Sequence, residues 1–160
     1  MKKKEKTNVM RLLDQAKIEY TSHFCDNAEG LSGDEIAEIM GEDPDRTFKT
    51  LVTVCSKTKE HYVFVIPVNQ ELNLKKAAAS VGAKSIEMIK SRELLPLTGY
   101  IHGGCSPIGM KKTFKTTFHV TAQDFDTIYF SGGKIGCQVQ LALADVKKIL
   151  DYQIADLCGE

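Results

Sequence analysis

The sequence predicts a mixed α/β domain of the α+β kind. A mostly antiparallel sheet curls, or closes into a barrel, with helices packed outside. Three observations predict it. Short β-branched runs come in hairpin-like pairs. Apolar residues at helical spacing, bounded by capping residues, lie between those runs. The length of 160 residues, with 42% hydrophobic and 26% charged residues, suits one globular domain with its own core. No repeat, low-complexity tract or linker divides the chain, so a single domain is expected over 7–160, behind a flexible basic tail over 1–6.

The elements follow in order. Val9, Leu12, Leu13 and Ala16 mark a helix face after the cap candidates Thr7 and Asn8. Ser32 and Glu35 have capping-box spacing ahead of Ile36, Ala37, Ile39 and Met40; Gly41 suits the helix end, and Asp43-Pro44 the turn beyond it. The runs 47–55 and 61–68, separated by five residues, read as a hairpin. Leu74, Ala77, Ala78 and Val81 make another helix face closed by Gly82. Short strands are expected over 85–89, 116–121, 127–131 and 137–141, with Gly132-Gly133 turning between the last two. Val146, Ile149 and Leu150 predict a last helix, followed by the segment 152–157.

Composition excludes several functions. Lys plus Arg and Asp plus Glu both number 21, and a chain without net charge is poorly suited to gripping DNA or long RNA non-specifically. No apolar run approaches the ~18 residues of a membrane span, and MKKKEKTN lacks the apolar stretch of a secretory signal; a cytoplasmic protein is expected. Cys25, Cys55, Cys105, Cys137 and Cys158 are widely spaced without C-x-x-C, which predicts reduced thiols and no zinc site. His23, His61, His102 and His119 show no metal spacing either. Neither a metal nor a cofactor is expected.

Charge is uneven locally. The window 26–45 carries acids, Glu42 among them, without Lys or Arg, and reads as a solvated helix face. The window 94–123 has no acid but holds Lys111, Lys112 and Lys115 beside the densest glycine cluster. A small polyanion can find a local basic patch there.

That cluster is Gly103, Gly104, Cys105, Ser106, Pro107, Ile108 and Gly109. Glycine permits positive φ and close approach to bare backbone, and Pro107 stiffens the chain. Such a loop can aim N–H groups at a carboxyl, ester or phosphate oxygen; a plain turn would account for it equally well. It is neither a Walker loop nor a dinucleotide fingerprint. Lys49, in a strand-like run between Phe48 and Thr50, points either to solvent or into a pocket, where it would be a fixed point charge for a phosphate or a polarised carbonyl. Ser131, Gly132, Gly133 and Lys134 form a hairpin turn or a second ligand-facing turn. Cys105 reads as a pocket wall rather than a nucleophile.

The segments TFKTLV (47–52), LNLKKAAASVGAKSIEM (72–88), TGYIHGGCSPIGMKK (98–112) and IYFSGGKIG (128–136), taken together, resemble the YbaK/EbsC family, and the resemblance runs from about Thr7 to about Leu157. It implies a trans-acting editing enzyme, similar to the insertion domain of bacterial prolyl-tRNA synthetase, that deacylates mischarged aminoacyl-tRNA; the most similar branch removes cysteine from tRNA(Pro). By that resemblance the essential lysine is Lys49, the neighbouring threonine Thr50, the G-x-x-x-P loop 103–107 and the S-G-G-K turn 131–134. One departure is Gln138, where the family often has Asp.

The implied mechanism has loop amides stabilising charge on the aminoacyl carbonyl, with Lys49 positioning the terminal adenosine phosphate or the ester. Water or the substrate's own thiol attacks. Thr50, Gly103, Gly104, Cys105, Ser106, Pro107, Ser131, Gly132 and Gln138 are the expected substrate contacts, and Lys111, Lys112, Lys115 and Lys134 the rim for the tRNA 3′ end. A docked prolyl-tRNA synthetase is the partner the resemblance suggests. The rival readings are Ala-tRNA(Pro) deacylation, a silent module that binds the aminoacyl end or a synthetase, and hydrolysis of a non-tRNA ester.

Overall fold

The computed structural model describes residues 6–159. Residues 1–5 of the expected tail lie outside the described residues; Lys6 pairs with Asp14 at 2.5 Å. Helix α1 (Asn8–Gln15) starts at Thr7, whose hydroxyl accepts from the Met10 N–H. Strand β1 (Thr21–Phe24) follows. Helix α2 (Gly33–Ile39) opens on the predicted capping box of Ser32 and Glu35. It closes with Gly41 at φ +71°, the Gly41 N–H on Glu38 O and the Glu42 N–H on Ala37 O. A 3-10 turn (Pro44–Arg46) leads into the predicted hairpin, β2 (Phe48–Val54) and β3 (His61–Pro67).

Helix α3 (Leu74–Val81) ends at Gly82 as predicted, and β4 (Glu87–Met88) is shorter than expected. Helix α4 (Ser91–Thr98), which the sequence reading did not include, contains Pro96 near its end. Strands β5 (Lys115–His119), β6 (Ile128–Ser131) and β7 (Cys137–Leu141) follow, then α5 (Leu143–Val146) and β8 (Tyr152–Ala155). Ile149 and Leu150, expected on the last helix, lie in turns bonded back to Val146.

The strands form a five-stranded sheet, β4-β2-β3-β5-β8, and a three-stranded sheet, β1-β7-β6. Four neighbour pairs, β1–β7, β2–β3, β2–β4 and β6–β7, are antiparallel. β3–β5 and β5–β8 are parallel. A parallel bridge, Thr47 to Tyr129, joins the sheets, so the strands curl without closing a barrel. Period-two alternation along β3 sends Val63 and Val65 into the core between the sheets, with Phe118, Phe130 and Val139. It sends Phe64 and Ile66 to a second core under α3, with Ala77, Ala78 and Leu157.

Candidate active site

Lys49 and Thr50 are neighbours on β2, so alternation turns their side chains to opposite faces. The edge of β2 away from β3 is bridged to β6 at Thr47 and paired with β4 at Thr53 and Val54, leaving it open between. Thr50 sits at that opening, and its buried hydroxyl finds no partner. Alternation from the isolated Thr47–Tyr129 bridge puts Lys49 and Ser131 on the same face as that pair. Ser131 pairs with Gln138, and Gln138 pairs with His23. The lysine, Ser131, Gln138 and His23 therefore share a polar face, opposite the one that carries Phe130 and Val139 into the core.

Helix α2 and the turn after it cover this face. At one end stands Asp34, whose carboxyl is held below its ordinary range by the Ser32 hydroxyl, then by its own N–H, and in smaller part by the charge of Lys49. The same ammonium acts on Cys158, whose thiol burial pushes up to about 11 while Lys49 and Lys76 pull it down. The Lys49 ammonium makes no hydrogen bond or ion pair with any described residue. At the other end Glu42, which the sequence reading left among solvated acids, is buried against Gln138.

The 103–107 loop approaches from the far side of the β6–β7 turn. Gly103 has φ +87°, a conformation that favours glycine. Gly104 lies on the turn backbone: a Cβ there would stand 3.1 Å from Ile135 N and 3.2 Å from Lys134 C. Cys105 and Ser106 are buried, and burial pushes the Cys105 thiol up to about 12, which leaves it protonated and a poor nucleophile. The loop therefore offers backbone. The Gly104 N–H donates to Ile101 O and the Ile108 N–H to Ser106 Oγ. Those of Gly103, Cys105 and Ser106 meet no acceptor among the described residues. Gly103 is exposed and Cys105 and Ser106 are buried residues, so the three N–H groups run from the surface inward along one loop.

Tyr100 ties the parts together. Its hydroxyl donates to Ile108 O just past Pro107, and its ring stands 3.3 Å from where a Cβ on Gly133 would be. In the turn, Ser131 Oγ accepts from the Gly133 N–H at 3.0 Å.

Lys111, Lys112 and Lys134 are exposed around the loop and turn, with the Lys111 chain running over Gly99. Lys115, exposed three residues past Lys112, opens β5 opposite Tyr62, whereas Lys49 pairs with Ile66 at the other end of β3. Two surface clefts of about 750 and 450 Å³ lie elsewhere, one along Tyr20 and Gln140, the other between His61 and Lys115. No cluster of metal-ligand type occurs among the described residues. Sequence reasoning missed His23 and Glu42. The signal for Glu42 was its position two residues beyond the helix cap, where an apolar side chain ordinarily packs back on the helix.

A curled sheet with a rigid amide-bearing loop at one end is the architecture of a known class of domain. The chain belongs to the aminoacyl-tRNA editing domain family, whose model matches residues 29–149. It is 45% identical to EbsC of Enterococcus faecalis, a protein named for Cys-tRNA(Pro)/Cys-tRNA(Cys) deacylation, over 98% of this chain and 95% of that one. A proline–tRNA ligase of Shouchella clausii is 36% identical over 52% of this chain, which spans 14% of that enzyme. A crystal structure described as a trans-editing enzyme for prolyl tRNA synthetase shares the fold, with a TM-score of 0.81 at 21% identity over 95% of each chain.

Proposed function

We propose that this chain is a trans-editing deacylase that cleaves the ester of mischarged aminoacyl-tRNA, with Cys-tRNA(Pro) as substrate. The observation that carries the reading is the set of unpartnered N–H groups of Gly103, Cys105 and Ser106, on a loop packed against the turn beside Lys49. Donors fixed before the reaction stabilise the negative charge that develops on the aminoacyl carbonyl oxygen. Lys49, without a protein partner, holds the phosphate of the terminal adenosine or the ester oxygen. The likeness to EbsC supports the choice of cysteine.

The chemistry asks little more. The ester is already activated, so positioning and oxyanion stabilisation suffice. The protonated Cys105 thiol is set aside as nucleophile. Water attacks, or the thiol of the substrate closes on its own carbonyl: a C–S bond forms, the C–O bond to the ribose breaks, and the thiol proton passes to the ribose oxygen. A second site of this kind is useful because a synthetase pocket separates small apolar side chains by only ~1–3 kcal/mol.

Lys111, Lys112, Lys115 and Lys134 receive the 3′ end. So short a rim predicts a shallow dependence of binding on salt. The choice of tRNA then falls to a docked prolyl-tRNA synthetase in the cytoplasm. A panel of Cys-, Ala-, Ser- and Pro-tRNA incubated with the purified protein tests the reading. Fastest loss of cysteine supports it; faster loss of alanine moves the protein to the alanine class; no deacylation of any member overturns it. Serine lost as fast as cysteine excludes attack by the substrate thiol.

A further inference from the structure

Glu42 occupies a position built for an apolar side chain and is 8% exposed. It lies on Gln138: with the amide turned as its partners require, Nε2 donates to Oε1 and, at 2.9 Å, to Oε2 of the carboxylate. Through the β-ladders this carboxylate stands over Ser131 and His23, on the face that also carries Lys49. No cation among the described residues forms an ion pair with it. Burial pushes its carboxyl up to about 7, with the nearby His23 pulling the other way. A buried carboxylate without a cation is expensive to keep and is offset by a cationic guest.

Gln138 accounts for the arrangement. An Asp there, as the YbaK/EbsC pattern often has, would set two carboxylates against each other. An amide instead serves a carboxylate through its N–H and a protonated carboxyl through its C=O. The face thus holds one carboxylate, on the turn after α2.

We propose that Glu42, oriented by Gln138, receives the α-ammonium group of the aminoacyl ester; Glu42 is then a substrate-binding residue and Gln138 a positioning residue. The inference rests on the aminoacyl-ester reading above. The loop amides and Lys49 face the oxygens of that substrate, and Glu42 faces its cation.

The test compares Cys-tRNA with 3-mercaptopropionyl-tRNA, which keeps thiol and ester but lacks the ammonium. Single-turnover rates, each divided by that substrate's uncatalysed hydrolysis, are measured for the wild type, Glu42→Gln and the exchange Glu42→Gln/Gln138→Glu. The wild type is expected to favour Cys-tRNA by at least about tenfold, the size of a charge-assisted hydrogen bond. Glu42→Gln should lose that preference while melting no lower, and the exchange should restore part of it. Equal normalised rates in the wild type, or a preference unchanged in Glu42→Gln, overturn the inference and leave the editing reading standing. A wild type that cleaves neither substrate overturns both.

Discussion

Gly104 lies flat against Lys134: a Cβ at 104 would sit 3.2 Å from the Lys134 carbonyl carbon and 3.3 Å from its Cα. Loop 103–107 and turn 131–134 are thus held together backbone on backbone, where no side-chain rotation can make room. Gly104→Ala must push the two apart. It is expected to lower stability by ~1–3 kcal/mol and to slow deacylation more than tenfold under conditions where the protein remains folded. Denaturant melts beside single-turnover rates check this; a variant with wild-type rates would show that the spacing is unimportant.

Tyr100 fixes the other end of the loop through its hydrogen bond to Ile108 O. Its hydroxyl is pushed up to about 12, by burial first and Cys105 second, so it remains a donor across the working pH range. Tyr100→Phe leaves that carbonyl unpaired, at a cost of ~1–3 kcal/mol. The expected outcome is a lower melting temperature and a several-fold slower kcat, read from thermal melts and turnover assays.

Glu42 sets a pH dependence of stability. Its folded-state pKa of about 7 lies above the ordinary 4.5, so between those values the folded protein holds a proton that the unfolded chain has released. Stability must therefore fall as pH rises through this window, by on the order of 1–3 kcal/mol in all, and then level off. Asp14, Asp34, Glu35 and Asp156, held low by hydrogen bonds from Lys6, Ser32 and Lys76, act below it with the opposite sign. Urea melts from pH 4.5 to 8 should show the slope in the wild type and a flatter line in Glu42→Gln.

Much of the fold was legible because it is written locally. Ser32 and Glu35 announced α2, Gly82 closed α3, and the β-branched runs gave the β2–β3 hairpin. Pairing across distance was not legible: β5 and β8 join the sheet in parallel beside β3, and nothing in a local period says which partner a strand will find. β1 escaped because TSHF is a mainly exposed edge strand without alternation, and α4 because Pro96 argues against a helix. In the site, glycine, proline and lysine marked the loop, the turn and Lys49. His23 and Glu42 did not stand out, since their meaning comes from strand register and from burial beneath α2.

The central claim is that Lys49 and the loop amides act on one aminoacyl ester, and single-turnover deacylation of Cys-tRNA(Pro) by the wild type and Lys49→Ala tests it most directly. Because the Lys49 ammonium forms no hydrogen bond or ion pair with a described side chain, the variant should melt close to the wild type yet deacylate slower by about 10²-fold or more, the size of a lost transition-state contact. Equal rates for the two proteins would contradict the account.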